Sequence, residues 1–92
     1  MADPIKSIIK FANNLKIPES AKRDAISIFD TLYEKKIVVG KKPDAVSAAT
    51  IYMACIRTNV NISQQTISEI SGISTVTIRN RINEFSRYVK LI

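Results

Sequence analysis

Val76, Arg79, Asn80 and Asn83 are the residues of this chain whose types and spacing suit a specific chemistry. They fall on one side of a helical stretch that starts after Ser74. At ~100° per residue, Ile78, Ile82, Phe85 and Val89 gather within about 60° and form an inward stripe. Val76, Arg79, Asn80, Asn83 and Arg87 lie opposite them. Guanidinium and carboxamide groups read guanine and adenine edges in the DNA major groove. A recognition helix makes those contacts from its N-terminal residues. Val76, in the first turn, suits a thymine methyl or a groove wall. Each residue also has a plainer reading. Surfaces carry exposed valines, and Arg79 has Glu69 and Glu84 as candidate ion-pair partners.

A second set suits the phosphate backbone. Ser63, Gln64, Gln65, Ser74, Thr75 and Thr77 cluster at two helix N-termini, where hydroxyls, amides and free backbone N–H groups can donate to phosphate. Capping alone also explains some of them. Lys41 and Lys42 precede Pro43 at a third N-terminus, either as solvated lysines or as phosphate contacts. Arg81 sits on the flank of the inward stripe, where packing or a phosphate contact suits it better than base reading.

The elements that must position these groups are themselves marked. Ser63 is a predicted N-cap, and Ile62 before it can staple to Ile67. Gly72 stops that helix after about two and a half turns. The same device then repeats with Ile73, Ser74 and Ile78. Two capped helices around a Gly turn predict a helix-turn-helix within 63–89. Ile67, Ile70, Ile73, Ile78 and Ile82 are its expected internal contacts.

Upstream, no charge interrupts Ala45 to Ile56. A helix apolar all round is buried, so Pro43 to Thr58 is the predicted central helix. Cys55 within it packs as a small apolar side chain. Two amphipathic helices precede it. The first is capped by Asp3 with Pro4 at its first position, and carries Ile5, Ile8, Ile9, Ala12 and Leu15 on one face. The second opens at Pro18-Glu19-Ser20 and carries Ala21, Ala25, Ile28, Phe29 and Leu32. Asp24, Asp30 and Glu34 read as solvated. Ile37-Val38-Val39 reads as an apolar loop plugging the helix ends, because no partner strand is visible. Gly40 is expected to supply a positive-φ turn. The predicted fold class is all-α.

Composition limits the function. Ninety-two residues make one domain, 1–92. Fourteen Lys and Arg against eight Asp and Glu leave a net charge of +6, which favours a polyanionic partner. With no histidine, one cysteine and no Gly-rich phosphate loop, neither an enzyme nor a cofactor is expected. A metal site would have to rest on scattered carboxylates, and none is expected. The apolar stretch near the start is broken by Lys6 and Lys10, so no signal peptide is read there and an intracellular protein fits.

Several stretches resemble the second cyclin-like repeat of archaeal transcription factor B and its eukaryotic counterpart, transcription factor IIB. They are Gly40-Lys41-Lys42-Pro43, the alanine-rich Ala48 to Ala54, and Gln65 to Arg81 with Val76-Thr77-Ile78-Arg79 inside it. Phe11 to Pro18 is similar to that repeat's first helix and Pro-containing link. The resemblance implies a five-helix cyclin-like fold with a buried third helix and a C-terminal helix-turn-helix. It implies that this motif enters the major groove of the B-recognition element beside the TATA box, with Val76 and Arg79 on the bases. It further implies double-stranded promoter DNA, TATA-binding protein and RNA polymerase as partners, no membrane, and a cytoplasmic location, nuclear if eukaryotic. The chain departs from the family in carrying one repeat and no zinc ribbon, and in placing Lys42 where a small polar cap is usual.

Two other functions fit the same residues. One is a cyclin-like protein-interaction module whose helix-turn-helix is only scaffold. The other is an unrelated helix-turn-helix regulator, which would need a spare apolar surface to dimerise. No extra stripe stands out apart from Phe11 and Tyr33, so a monomer is expected.

Overall fold

A computed structural model describes residues 3–91. Five helices follow in order: α1 Pro4–Leu15, α2 Glu19–Glu34, α3 Pro43–Arg57, α4 Gln64–Ser71 and α5 Thr75–Phe85. Among the described residues there is no strand. This is the five-helix, cyclin-like, all-α arrangement expected, with α3 in the middle. All four other helices pack on α3.

The reason lies in the composition of α3. Ala45 to Ile51 and Met53 to Cys55 are all buried. Four of those side chains are alanines, which lets neighbouring backbones come close. Ser47 and Thr50 are the polar exceptions, and both are satisfied internally. The Ser47 hydroxyl lies 2.8 Å from the Pro43 carbonyl oxygen and 2.9 Å from that of Pro4. Its single proton is shared between the two, which ties the start of α1 to the start of α3. Thr50 donates to the Ser47 carbonyl at 2.9 Å. Buried polar groups are tolerated on this condition.

The caps follow the sequence. Asp3 accepts from the Ile5 N–H at 3.0 Å, with Pro4 in the first turn. The Ser7 hydroxyl donates to Asp44 at 2.9 Å, a second link between α1 and α3. Lys42 caps α3 with extended backbone and no side-chain bond. Gly40 has φ of +77° and makes the expected turn.

Several expectations change. Phe11 belongs to the core and offers no face for dimerisation, whereas Ile9 on the same helix is exposed. The α1 face therefore centres on Ile8, Phe11 and Ala12. Asp24 is not solvated: its Oδ2 lies 3.2 Å from Arg57 Nε. The plug is made by Ile37 and Val38, which pack on the core, while Val39 is 72% exposed. Ile70, on the last turn of α4, is exposed. Helix α5 ends at Phe85, so Arg87 lies in the following turn and not on the helix. Val89 still reaches the core, with its N–H on the Phe85 carbonyl at 3.1 Å.

Candidate nucleic-acid interface

Ser63 and Ser74 open the two short helices with the same bond. The Ser63 hydroxyl oxygen accepts from the Thr66 N–H at 3.0 Å. The Ser74 oxygen accepts from the Thr77 N–H at 3.2 Å, and its proton goes to the Thr77 hydroxyl at 3.0 Å. Between them Gly72 adopts φ of +74° and sends its N–H to the Ser68 carbonyl at 2.9 Å. A Cβ there would meet nothing, so the need for glycine is purely backbone strain. The Ser71 hydroxyl then accepts from the Ile73 N–H at 3.2 Å. Ile67, Ile73 and Ile78 are buried beneath this turn.

This frame orients α5. Ile78, Ile82 and Phe85 face the core. Val76, Arg79, Asn80 and Asn83 are all exposed, as the wheel requires. Val76 is 58% exposed, a large apolar side chain held out in the first turn. Among the described residues Arg79 forms no ion pair, so neither Glu69 nor Glu84 takes it. Its guanidinium is free to meet an external acceptor.

The phosphate set divides in two. Lys41, Lys42, Ser74, Thr77 and Arg81 line one cleft of about 440 Å³ that also meets Gly72. The start of α3 and the start of α5 converge on it, and helix N-termini favour anions. Ser63, Gln64 and Gln65 lie apart from that cleft, at the head of α4, and Thr75 does not line it either. Ser63 and Gln65 are exposed, while Gln64 and Thr75 are half-buried.

Sequence reasoning missed the role of Glu84. Its Oε2 lies 3.0 Å from Lys41 Nζ, and its Oε1 accepts from Arg81 Nη1. Burial pushes this carboxyl up, but Lys41 and Arg81 outweigh that and hold it below the ordinary range. The Arg81–Glu84 spacing on one helix was readable as an (i, i+3) pair. Nothing local pointed to Lys41, which arrives from the connector before α3. Among the described residues no group of three acidic or cysteine side chains is placed to hold a metal ion. Nor, among them, is any helix long and apolar enough to cross a membrane.

Capped short helices around a glycine turn, docked on a buried central helix, define an all-α helix-turn-helix domain. The chain belongs to the transcription factor TFIIB repeat family, which matches residues 1–88. It is 34% identical to transcription initiation factor IIB of Methanothermococcus thermolithotrophicus over 89 residues, 97% of this chain and 26% of that protein. It is 33% identical over 89 residues to the factor of Methanocaldococcus jannaschii, covering 97% of this chain and 13% of that protein. With transcription initiation factor IIB 2 of Halobacterium salinarum the identity is 34% over 83 residues, 90% of this chain and 26% of that protein. The chain thus spans about a quarter or less of the length of these curated relatives.

Proposed function

We propose that this chain is a sequence-specific DNA-binding repeat of a general transcription initiation factor, corresponding to the second cyclin-like repeat. In this reading α5 enters the major groove of the B-recognition element beside the TATA box. Arg79 and Val76 touch bases, with Asn80 and Asn83 able to reach neighbouring edges. Lys41, Lys42, Ser74, Thr77 and Arg81 take phosphates around the cleft. Ser63, Gln64 and Gln65 take them at the head of α4, and Thr75 beside Ser74. The partners are double-stranded promoter DNA, TATA-binding protein and RNA polymerase. The relatives are transcription initiation factors, which supports the transcriptional role.

One observation carries the reading. Arg79, without an ion-pair partner among the described residues, and an exposed Val76 share the outward face of a helix whose other face is core. An ordinary solvated helix would gain nothing from that valine. The net charge of +6 provides the sequence-independent part of binding.

The test is binding to a duplex with a purine-rich element upstream of a TATA box, against a scrambled duplex. It is run with and without TATA-binding protein over a salt series. A preference that grows with TATA-binding protein and weakens with salt supports the reading. Equal, salt-sensitive binding to both duplexes leaves only phosphate affinity. No binding at any salt favours the protein-interaction module. Tyr33 at 64% and Val39 at 72% exposed are the apolar surface such a module would use.

A further inference from the structure

Glu84 occupies two of the cations that the DNA reading assigns to phosphates. Its two carboxylate oxygens are divided between them: Oε2 faces Lys41 Nζ at 3.0 Å, and Oε1 accepts from Arg81 Nη1. The two cations come from different parts of the chain, one from the connector before α3 and one from α5 itself. Both also line the cleft where the N-termini of α3 and α5 converge. A carboxylate bridging two cations through two oxygens presents the pattern that a phosphodiester presents with its two free oxygens. All three side chains remain partly open to solvent, so an incoming phosphate can reach them. Ion pairs this exposed are weak and exchange readily.

The consequence is electrostatic. With Glu84 in place, Lys41 and Arg81 together bring a net +1 to the cleft instead of +2. Binding to DNA of arbitrary sequence is almost entirely phosphate charge, and its salt dependence counts the phosphates neutralised. Base contacts by Val76 and Arg79 do not pass through Glu84. A residue that lowers the phosphate contribution alone weakens binding to target and random DNA by a similar factor, and so shortens the time spent on the many competing sites of a genome.

We propose that Glu84 sets the phosphate affinity of this interface: it stands in for a DNA phosphate at Lys41 and Arg81 and so holds down the sequence-independent part of binding. The proposal rests on the DNA-binding reading above. The competing role is a strut, in which Glu84 serves only to pin the connector to α5.

The experiment uses the full chain and the isosteric variant Glu84→Gln, with a thermal melt followed by circular dichroism to establish folding. Wild type and variant are titrated with the purine-rich, TATA-containing duplex and with a random duplex over a salt series. The expected result is tighter binding of the variant to both duplexes, by a similar factor on each. The salt slope steepens by about 1–2, as one or two freed cations each add roughly 0.9. The triple variant Glu84→Gln, Lys41→Gln, Arg81→Gln loses that gain. Glu84→Asp keeps the charge but is too short to bridge both cations, and its slope falls between wild type and Glu84→Gln. It serves as the probe if Glu84→Gln fails to fold. A wild type that binds DNA, with Glu84 variants showing the same or weaker random binding at an unchanged slope, overturns the proposal and leaves the DNA reading standing. Wild type and variants that all fail to bind either duplex overturn both.

Discussion

Arg57, at the last turn of α3, holds Asp24 of α2 with Nε 3.2 Å from Oδ2. That oxygen is buried and meets no hydrogen-bond donor in good line, so the guanidinium charge is what compensates it. The pair clamps α2 to the central helix α3. Replacing Arg57 with Met leaves a half-buried carboxylate alone. The expected cost is about 1–2 kcal/mol, the worth of a bond to a charged group discounted for partial exposure. Urea unfolding of Arg57→Met and of the double variant Arg57→Met, Asp24→Asn checks it. The double variant recovers part of the loss, because the stranded charge is gone.

Ser74→Ala removes the cap that fixes the start of α5. A cap of this kind is worth about 1 kcal/mol. Ser63→Ala should cost a similar amount of stability, since its bond is the same. The two differ on DNA. Fraying α5 moves Val76 and Arg79, so Ser74→Ala reduces sequence preference more than Ser63→Ala does. Chemical unfolding and duplex competition on both variants measure the two effects separately.

Arg79→Ala should lose about 1–3 kcal/mol on the target duplex, the worth of one bidentate base contact. Preference at a single base pair flattens. Lys42→Ala instead weakens target and random duplex alike and lowers the salt slope by about 1. A base-by-base substitution series on the duplex separates these outcomes. Equal losses on both duplexes for Arg79→Ala would remove its base-reading role.

The Glu84 carboxyl sits below its ordinary value of 4.5 in the folded chain. A depressed acid contributes stability that is present above the unfolded value and lost as pH falls through the folded one. The contribution of the Lys41–Glu84–Arg81 cluster is therefore full above about pH 4.5 and fades below it. Glu19 is also depressed, chiefly by Lys22, and acts in the same window. The difference between wild type and Glu84→Gln in acid unfolding isolates the Glu84 share, and that difference shrinks as pH falls.

Cys55 behaves oppositely. Burial pushes its thiol from 9.0 up to about 11. An acid whose folded value is raised contributes stability that is complete below the unfolded value and lost as pH rises to the folded one. The stability of the chain relative to Cys55→Ala should therefore fall between pH 9 and about 11. In the native state the thiol should resist a thiol-specific reagent at neutral pH, and it should react once the chain is unfolded in urea.

Local chemistry was enough to read much of this protein. Asp3, Ser63, Ser74 and Gly72 announce helix ends because caps and left-handed turns are made by residues adjacent in the chain. The absence of charge from Ala45 to Ile56 announces a buried helix for the same reason: a wheel with no polar side has no place at a surface. The outward set Val76, Arg79, Asn80 and Asn83 follows from helical periodicity once Ile78, Ile82 and Phe85 are turned inward. Family resemblance added the role assigned to that face.

What periodicity decided less well were the margins of each face. Phe11 and Ile9 are both apolar and lie on the same helix, yet only Phe11 is buried in the core. Ile70 sits at a core-like position in the motif, yet on the last turn of α4 it is exposed. The left-handed backbone at Lys16 and Lys36 has no local signature, since neither is a residue that favours it.

Tertiary structure alone decided the long-range pairings. Asp24 with Arg57, Ser7 with Asp44, and Lys41 with Glu84 each join residues far apart in sequence. No propensity or spacing encodes them, because a side chain finds such a partner only after packing on α3 has fixed the helix directions. The sequence by itself determined which helices form and which faces they bury. The packed fold decided which charges are left free for an external partner, leaving Arg79 unpaired among the described residues and committing Lys41 and Arg81 to Glu84.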